Sequence, residues 1–382
     1  MKIIPYGRQH ITEEDVEAVI SALMSDFLTQ GPKVLEFEKE FASYVGASYA
    51  VAVSNGTAAL HLSAIALGVN AESKVITTPI TFAASANCIH FCGGTVEFAD
   101  IDPDTALIDL KKVRTMLESA PAGTYQGIIP VDFAGYPVNL EECRKLADEY
   151  NLWILEDACH APGGGFIDSK GELQLCGNGR YAELTVFSFH PVKHIACGEG
   201  GMVTTNDKEL YERLLLLRTH GITRDGKQLH QNHGGWYYEM IELGYNYRLP
   251  DLNCALGISQ LRRADKGIGQ RQAIAKRYDD AFEGKVKAIT PGSGVNHAYH
   301  LYIVEVDNRK QLYDALRQKG IYAQVHYMPV HTMPYYQSLG HKKGSMPLAE
   351  AYYEKCLSLP MYPTLTEGEQ NFVVECVLKN LK

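Results

Sequence analysis

A lysine in an irregular, largely apolar loop is the first residue of this sequence that could do covalent chemistry. Lys193 follows the β-like run Leu184–Phe189 and precedes the glycine-rich stretch Gly198–Gly201. A lone lysine is usually a solvated surface charge. Among proline, aromatic and glycine neighbours, however, desolvation lowers the pKa of an amine and makes it a usable nucleophile. The position therefore predicts a reactive amine.

An acidic residue ends the apolar run Leu152–Asp157. Burying a carboxylate at the end of such a strand is costly unless a cation lies beside it. One interpretation is that Asp157 pairs with a protonated ring nitrogen. The other is that Asp157 caps a helix that begins directly after the strand.

A small turn, Ser54–Thr57, leads from a predicted strand directly into a helical pattern. The N-terminus of a helix presents free backbone N–H groups and the positive end of its dipole, so this turn can hold a phosphate. Gly56 allows close approach and Thr57 adds a hydroxyl. A plain helix cap is the alternative interpretation.

The three signals together indicate more than each alone. A phosphate-binding turn, a strand-end acid and a loop lysine are the anchors that pyridoxal phosphate needs. In this combination Asp157 keeps the ring nitrogen protonated and Lys193 binds the cofactor covalently. We therefore expect pyridoxal 5′-phosphate as the cofactor.

The elements that must position these residues alternate between β-like runs and helical patterns. The predicted strands are Tyr49–Ser54, Val75–Pro79, Thr95–Asp100, Gly127–Asp132, Leu152–Asp157, Leu184–Phe189 and Met202–Thr205. Amphipathic stretches such as Thr57–Leu67 and Leu140–Tyr150 lie between them. This alternation predicts an α/β fold with a largely parallel sheet, in which ligands collect at the carboxyl ends of the strands.

The C-terminal part of the chain predicts a smaller α+β domain. The patterns are helices at Glu209–Arg218 and Pro250–Tyr278, β-like runs at Tyr299–Val306 and Ala323–His326, and further helices near Lys310–Lys319, Leu348–Ser358 and Glu367–Leu378. We expect a large domain over residues 1–260 and a small one over 261–382. A helix near Thr12–Met24 cannot be assigned to either from the sequence.

Composition excludes several classes of protein. The chain has 382 residues and a net charge of −9, without the basic stripe of a nucleic-acid binder. No apolar run approaches the ~20 residues of a membrane span, and the N-terminus lacks a signal-peptide core. The nine cysteines are scattered without a CxxC pair. We expect a cytoplasmic protein with reduced cysteines, no metal site, and neither a nucleic-acid nor a membrane partner.

Several motifs carry a family resemblance over nearly the whole chain. They are Leu28–Gly31, Ser54–Leu60, Pro79–Phe82, Glu156–Ala161, Phe187–Lys193, Glu199–Gly201 and Gly244–Arg248. With them the sequence resembles the DegT/DnrJ/EryC1/StrS family of pyridoxal-phosphate-dependent sugar aminotransferases. The resemblance implies fold type I: a mixed, mostly parallel seven-stranded sheet with helices on both faces.

The resemblance also implies roles for individual residues. The catalytic ones are Lys193, Asp157 and His160. The cofactor ligands are Gly56, Thr57, Phe82, Asp157, His160, Ser188, Lys193 and Asn246, and the residues near the sugar nucleotide or the dimer contact are Thr29, His326, Tyr327 and Arg248. Asn246 matches a phosphate ligand that the neighbouring subunit contributes, so a homodimer with shared sites is expected.

Within the family the sequence is most similar to the branch that makes precursors of pseudaminic acid, in the segments Val131–Gly135, Phe189–Lys193, His300–Tyr302 and Ala323–Tyr327. This implies transfer of an amino group from L-glutamate to C4 of UDP-2-acetamido-2,6-dideoxy-β-L-arabino-hex-4-ulose. Amination at C3, or at C4 of a D-sugar, is the first alternative.

A sugar dehydratase, a cofactor-binding regulator and a nicotinamide enzyme are the alternatives to this activity. A sugar dehydratase of the same family replaces the lysine with histidine, and His194 stands next to Lys193. A cofactor-binding regulator would carry a DNA-binding module. A nicotinamide enzyme would need a glycine-rich turn that Ser54–Thr57 does not supply.

Overall fold

Two helices precede the central sheet. The computed structural model describes residues 3–381. The described residues begin with a short strand and continue into helices that pack beside the sheet: β1 (Ile4–Pro5), α1 (Glu13–Leu23) and α2 (Pro32–Val45). The helix predicted at Thr12–Met24 is thus confirmed, with Thr12 and Asp15 forming a capping box at its start.

Strands and helices then alternate as the sequence predicts. In chain order they are β2 (Tyr49–Val53), α3 (Gly56–Ala66), β3 (Lys74–Thr77), α4 (Ala84–Phe91), β4 (Thr95–Phe98), α5 (Leu110–Glu118), β5 (Gly127–Ile129), α6 (Leu140–Tyr150), β6 (Trp153–Asp157), β7 (Gly165–Ile167), β8 (Leu173–Leu175), β9 (Leu184–Ser188), β10 (Gly201–Thr205) and α7 (Lys208–Arg218).

Seven of these strands form one sheet in the order β2-β10-β9-β6-β5-β3-β4. Strand β10 runs antiparallel to both of its neighbours, and the other pairs are parallel. All seven predicted strands lie in this sheet. Some end earlier than predicted: the run Gly127–Asp132 contains only the strand Gly127–Ile129.

Both faces of the sheet are covered by helices. Ile128 and Ile154 pack with Val113 and Leu117 of α5 on one face, while their neighbours Ile129 and Leu155 belong to the cluster around α3 on the other. Adjacent residues of a strand point to opposite faces, so fully apolar strands must be buried on both sides. The layers therefore follow from the strand composition.

The remaining elements continue from residue 222. They are β11 (Ile222–Thr223), β12 (Glu239–Met240), α8 (Asp251–Leu261), α9 (Ala264–Phe282), β13 (Lys287–Ala288), β14 (Val295–Asn296), β15 (Tyr302–Glu305), α10 (Arg309–Gln318), β16 (Ile321–Tyr322), α11 (Pro334–Ser338), α12 (Pro347–Lys355), β17 (Cys356–Leu359) and α13 (Glu367–Lys379).

The prediction of one long helix over Pro250–Tyr278 is wrong. Helices α8 and α9 are separated at Arg262 and Arg263. Both arginines make ion pairs to the N-terminal helices, Arg262 to Glu40 at 2.9 Å and Arg263 to the buried Asp15. Apolar residues recur at helical spacing across the break, at Ile258, Leu261, Ala264 and Ile268, so the sequence pattern does not reveal it.

One helix prediction and one β-like prediction in the C-terminal part also need correction. The helix predicted at Leu348–Ser358 ends at Lys355, and Cys356–Leu359 is a strand that pairs with β15. The run Ala323–His326 holds only an isolated bridge between Gln324 and Ser358, because the strand of this segment is β16. Strand β16 pairs with β1, which joins the N-terminus to the C-terminal elements.

The glycine-rich stretch from Gly171 to Gly179 contains the second strand of a hairpin. Gly171 has φ +81° and ends the turn after β7, and β14 pairs with β7 on its other side. The division into domains at residues 260 and 261 stays a prediction. None of the helices in residues 3–381 is long and apolar enough to cross a membrane.

Candidate active site

A cavity of about 760 Å³ opens at the carboxyl ends of β2, β6 and β9. The structure brings nine predicted site residues to its wall: Gly56, Thr57, Phe82, Asp157, His160, Ser188, Lys193, His326 and Tyr327. Parallel strands deliver the residues that follow them to one edge of the sheet, so side chains far apart in sequence meet here.

Lys193 lies in the loop that joins β9 to β10. Two backbone hydrogen bonds close this loop, from Phe189 N to Gly200 O at 2.8 Å and from Cys197 N to Phe189 O at 2.9 Å. Burial lowers the pKa of Lys193, and the charge of Asp157 opposes that shift. Lowering the pKa increases the share of neutral amine available for attack or for proton transfer.

Asp157 ends β6 with a buried side chain held in place by two donors. Ser85 Oγ donates to Oδ2 at 2.6 Å, and the Cys159 amide donates to Oδ1 at 3.1 Å. The interpretation of Asp157 as a helix cap is wrong, because the next regular element is strand β7. A fixed carboxylate facing a cavity suits a cationic ligand.

The turn before α3 is both a helix cap and an open anion cradle. The Asn55 side chain accepts the Ala58 amide at 2.8 Å, which caps the helix. The amides of Gly56 and Thr57, in the first turn, have no acceptor within the helix. A Cβ on Gly56 would lie 3.0 Å from Ser188 Cβ, so glycine keeps the space between these residues open.

His160 is buried with a defined tautomer. Its Nδ1 accepts the Ala134 amide at 3.2 Å, so the proton is on Nε2, which lies 3.3 Å from Tyr327 Oη. Burial lowers the pKa of His160 well below its ordinary value, with Lys193 adding to the effect. His160 is therefore a neutral N–H donor at the cavity wall.

Phe82 and His326, from distant parts of the chain, both line the cavity around Lys193. Phe82 is 62 % exposed, and its ring lies 6.3 Å from that of Tyr327. His326 Nδ1 lies 2.8 Å from Ser358 Oγ, and burial lowers the pKa of His326 to about 3. An exposed aromatic ring at a cavity wall is a surface on which a flat ligand can pack.

Three predicted site residues lie outside this cavity in the same chain. Thr29 is exposed in the turn between α1 and α2. Asn246 is exposed and makes a β-bridge to Thr219, and Arg248 makes one to Val53. One chain therefore does not bring them to the cavity formed around Lys193.

Sequence reasoning missed several residues of the cavity wall, among them Ser85, Tyr6 and His300. Ser85 orients Asp157, Tyr6 reaches the cavity from the N-terminal segment, and the ring of His300 lies 4.3 Å from that of His160. His300 lies in His300–Tyr302, a segment that resembles the pseudaminic-acid branch of the family, and this resemblance was the available signal. The other two are isolated residues whose placement depends on tertiary contacts.

Two buried carboxylates lie behind Asp157. Asp132, Glu156 and Cys176 bring ligand atoms within 4.8 Å of one another, the kind of group that could hold a metal ion. Burial and the neighbouring Glu156 raise the pKa of Asp132 well above its usual range. A proton shared by Asp132 and Glu156 removes the repulsion that two buried negative charges would have. The absence of a metal stays a prediction.

His194 does not line the cavity that contains Lys193 and Asp157. Its Nε2 lies 2.8 Å from the Ala298 carbonyl oxygen, and the side chain borders a different cavity. Lys193 alone of the two lines the cavity with Asp157. The geometry therefore favours the lysine over the histidine as the reactive residue.

Comparison with known proteins identifies the family. Residues 9–378 match the DegT/DnrJ/EryC1/StrS aminotransferase family. The chain belongs to this family. It is 38 % identical to the UDP-4-amino-4,6-dideoxy-N-acetyl-β-L-altrosamine transaminase of Campylobacter jejuni, over 100 % of this chain and 98 % of that protein.

Solved structures agree in fold and cofactor. PseC of Helicobacter pylori, an aminotransferase involved in the biosynthesis of pseudoaminic acid, superposes with a TM-score of 0.89 at 31 % identity, covering 100 % and 99 % of the two chains. The pyridoxal-phosphate form of the sugar aminotransferase Spr1654 of Streptococcus pneumoniae gives 0.89 at 28 %, covering 99 % and 98 %. The protein is a pyridoxal-phosphate-dependent sugar aminotransferase of fold type I, as the resemblance predicted.

The residues of the cavity fit this cofactor. The space beside Gly56, which a Cβ would fill, adjoins a helix N-terminus suited to a phosphate. Asp157 supplies a carboxylate without an ion-pair partner among residues 3–381, and Lys193 supplies an amine of lowered pKa. The cavity thus contains the phosphate-binding turn, the strand-end acid and the loop lysine that the sequence predicts for this cofactor.

Proposed function

We propose that the protein transfers an amino group from L-glutamate to C4 of a UDP-linked 4-keto-6-deoxy sugar. The substrate we assign is UDP-2-acetamido-2,6-dideoxy-β-L-arabino-hex-4-ulose, which becomes UDP-4-amino-4,6-dideoxy-N-acetyl-β-L-altrosamine for pseudaminic acid and surface polysaccharide synthesis. The observation that carries the proposal is that Lys193 and Asp157 line the same cavity. The transaminase relative, similar over the full chain, supports the substrate.

Pyridoxal phosphate, when bound, supplies an electron sink for a carbanion next to nitrogen. Lys193 would hold it covalently, and the Asp157 carboxylate would keep its ring nitrogen protonated. The Gly56 and Thr57 amides with the Ser188 hydroxyl would hold its phosphate. For the remaining parts of the ring, His160 would donate Nε2–H to the ring hydroxyl and Phe82 would pack on the flat face.

Lys193 moves the protons of the reaction. Burial lowers the pKa of Lys193 and so increases the share of neutral amine. In that form its Nζ takes the proton from the α-carbon of the donor, and it returns a proton to C4 of the sugar. Ser85 keeps Asp157 oriented throughout, by its hydrogen bond of 2.6 Å. His326 and Tyr327 lie where a sugar could contact them.

We infer that the working unit is a homodimer with shared sites. Asn246, Thr29 and Arg248 lie outside the cavity of their own chain, and we assign them to the site of the second subunit. Large apolar side chains stand exposed on α1 and on the segment before Asn246: Val16, Ile20, Leu23, Met24, Trp236, Tyr238, Met240 and Leu243. Exposed apolar surface of this extent supports a protein interface.

The location that we propose for this reaction is the cytoplasm. All nine cysteines lie in the described part of the chain and are free thiols, which supports a reducing compartment.

The proposed reaction is tested with a panel of substrates. The holoenzyme is incubated with L-glutamate and a series of UDP-linked 4-keto-6-deoxy sugars, with products identified by mass spectrometry and 2-oxoglutarate measured separately. We expect amination of the L-arabino isomer, with one 2-oxoglutarate released per amino sugar. Lys193→Ala is the control and should give neither product.

The same panel contains the alternative. Amination only of a D-sugar, such as UDP-4-keto-6-deoxy-N-acetylglucosamine, or amination at C3, would replace the proposed substrate and keep the reaction class. Loss of the sugar oxygen without incorporation of nitrogen would indicate a dehydratase.

A further inference from the structure

The buried acids Asp132 and Glu156 have no part in the mechanism described above, although both adjoin Asp157 in the sheet. Glu156 precedes Asp157 in β6, and the Asp132 amide donates to the Asp157 carbonyl oxygen at 3.0 Å. Their side chains are 0 % and 1 % exposed, and neither lines the cavity around Lys193. Burying two acids is costly, so their presence here needs another explanation.

Each of the two carboxyl groups has one oxygen with hydrogen-bond donors and one without. Asp132 Oδ1 accepts the Val138 amide at 2.8 Å, and Glu156 Oε2 accepts Thr185 Oγ1 at 2.6 Å and the Gly177 amide at 3.0 Å. Asp132 Oδ2 and Glu156 Oε1 are buried without a partner in the described part of the chain. The two groups bring oxygens within 4.8 Å of each other, so the two unpartnered oxygens are the ones left to share a proton.

Asp132 begins a turn whose backbone conformation is unfavourable on its own. Ala134 has φ +61°, in the left-handed region that residues other than glycine rarely adopt, and Gly135 has φ +92°. Such a conformation persists only where the surrounding contacts fix it. The bond from the Val138 amide to Asp132 Oδ1 closes this turn over residues 132–138.

The same turn holds His160 in the cavity wall. The Ala134 amide donates to His160 Nδ1 at 3.2 Å, which leaves the proton on Nε2. The direction of this amide depends on the left-handed backbone of the turn. The Leu301 amide also bonds to the Ala134 carbonyl oxygen, at 3.1 Å, so a variant of Asp132 retains one contact that supports the turn.

We propose that Asp132, joined to Glu156 by the shared proton, is a positioning residue that fixes the tautomer of His160. Asp132 holds the turn, the turn presents the Ala134 amide, and the amide keeps Nε2–H of His160 available to the cofactor. The inference deepens the proposed function, because it rests on the contact assigned there between His160 and the ring hydroxyl. A metal ion bound by Asp132, Glu156 and Cys176 is the competing explanation of the buried acids.

Amide variants test the shared proton, because the neighbouring donors determine which atom faces the partner. In Asp132→Asn the oxygen stays with the Val138 amide, so Nδ2–H donates to Glu156 Oε1. In Glu156→Gln the oxygen stays with the Gly177 amide and the Thr185 hydroxyl, so Nε2–H donates to Asp132 Oδ2. Each single variant replaces the shared proton with an N–H, and its melting temperature should stay within about 2 °C of the native value.

The double variant Asp132→Asn/Glu156→Gln places two N–H donors against each other. We expect its melting temperature to fall by about 5 °C or more, although each single change is tolerated. An additive result would show that the two groups do not share a proton. A stoichiometric metal in the purified wild-type protein, measured by mass spectrometry and lost in both single variants, would establish the competing explanation instead.

The tautomer of His160 is measured by ¹⁵N NMR of the holoenzyme labelled at histidine, with His160→Leu identifying its signals. Wild type and Asp132→Asn should show the proton on Nε2 alone. Asp132→Ala removes the acceptor of the Val138 amide, so a second tautomer should appear. A single Nε2–H tautomer in folded Asp132→Ala would overturn the inference.

Asp100→Ala is the matched control. Asp100 is also buried and accepts the backbone amides of Leu348 and Ala349 at 2.9 Å, but it does not line the cavity. Its removal costs comparable hydrogen bonds elsewhere in the fold. The tautomer of His160 should stay unchanged in this variant, and a second tautomer here would show that any loss of stability produces the effect.

The colour of the cofactor gives a second measurement. A hydrogen bond donated to the ring oxygen favours its charged form, so His160→Leu should raise the pH midpoint of the visible absorbance change by about one unit. Asp132→Ala should shift the midpoint in the same direction, and the combined variant should shift it no further than His160→Leu alone. Additive shifts would show that Asp132 does not act through His160.

Failure of the inference and failure of the proposed function give different results. If His160→Leu leaves the midpoint unchanged, the proposed contact with the ring hydroxyl is wrong, and the ¹⁵N measurement still decides whether Asp132 fixes the tautomer. If Asp132→Ala does not fold, the amide variants decide: loss of stability in either single variant would refute the shared proton on which the inference depends.

Discussion

At the scale of single residues, the proposed chemistry depends most on the charge of Asp157. The carboxylate is buried, faces the cavity, and takes hydrogen bonds from Ser85 Oγ and the Cys159 amide. A neutral amide of the same shape would keep the packing and lose the charge that holds a ring nitrogen protonated.

The corresponding prediction is that Asp157→Asn lowers turnover by ~10²–10³-fold, the loss typical of removing one preorganised electrostatic group. Rates of 2-oxoglutarate release measure it, and circular dichroism checks that the variant folds. Ser85→Ala is the companion variant: it removes one hydrogen bond and leaves the charge, so a loss of only about tenfold is expected. Near-normal turnover in Asp157→Asn would refute the assigned role.

The sequence predicts some of the site residues and not others, and the difference has a physical reason. Lys193 and Asp157 stand out because a charged residue at the end of an apolar run needs an explanation. Ser85, Tyr6 and His300 carry no such conflict. A serine in an alanine-rich helix is unremarkable until the fold places its hydroxyl against a buried carboxylate.

At the scale of secondary-structure elements, the start of α3 is the most informative. Gly56 has no Cβ, and an added one would lie 3.0 Å from Ser188 Cβ and 3.3 Å from Ser188 Oγ. The space that we assign to the phosphate therefore depends on glycine at the first position of the helix.

We predict that Gly56→Ala weakens binding of pyridoxal phosphate at least about tenfold, because the methyl group occupies the cradle. Titration of the apoprotein, followed by absorbance, measures the dissociation constant. Gly269→Ala is the matched control: it is also helical, and a Cβ there meets nothing within 4 Å. That variant should bind normally and fold about 1 kcal/mol more stably. Equal affinities in the two variants would contradict the assignment.

The strands were predictable because both of their faces are buried, so each strand appears in the sequence as an uninterrupted run of apolar residues. The break between α8 and α9 was not, because the apolar stripe runs across it while Arg262 and Arg263 turn toward acids of the N-terminal helices. Strand β17 was also missed, since the run Cys356–Leu359 continues an apolar pattern that fits a helix equally well.

At the scale of the whole molecule, we expect buried histidines to set the pH dependence of stability. Burial lowers the pKa of His160, His194, His297, His300 and His326, the third and fifth to about 3. In the unfolded chain histidine titrates near ~6.5, so below that pH the unfolded state binds more protons. Each histidine then reduces the free energy of unfolding by up to ~1.4 kcal/mol per pH unit.

Asp132, Glu156 and Asp279 act in the opposite direction, because their raised pKa values give stability at low pH that is lost as the pH rises. Three carboxyl groups against these five histidines leave the histidines dominant below about pH 6.5. We therefore predict that the melting temperature falls steadily from pH 7 to pH 5. His297→Gln should flatten the slope, and the exposed His233→Gln should not. An unchanged slope in His297→Gln would show that these histidines do not control acid stability.

The proposed shared dimer site makes a prediction about mixed subunits. We expect Lys193→Ala and Asn246→Asp chains each to be inactive, the second because its carboxylate would repel the cofactor phosphate. After mixing and re-pairing, one site of each heterodimer has both native residues, so activity up to about half of the wild-type level is expected.

The control pairs Lys193→Ala with Asp157→Asn. Both residues line the cavity of one chain, so every site in that heterodimer keeps a defect and no activity should return. Absence of rescue in verified Lys193→Ala/Asn246→Asp heterodimers would place Asn246 in the site of its own chain.

The central claim is that Lys193 is the residue that binds the cofactor and moves the proton. Reduction of the yellow holoenzyme with borohydride, followed by proteolysis and mass spectrometry, tests it most directly. The account predicts a reduced pyridoxyl group on the peptide containing Lys193, and none in the Lys193→Ala protein. A label on any other lysine, or labelling that persists in Lys193→Ala, would contradict it.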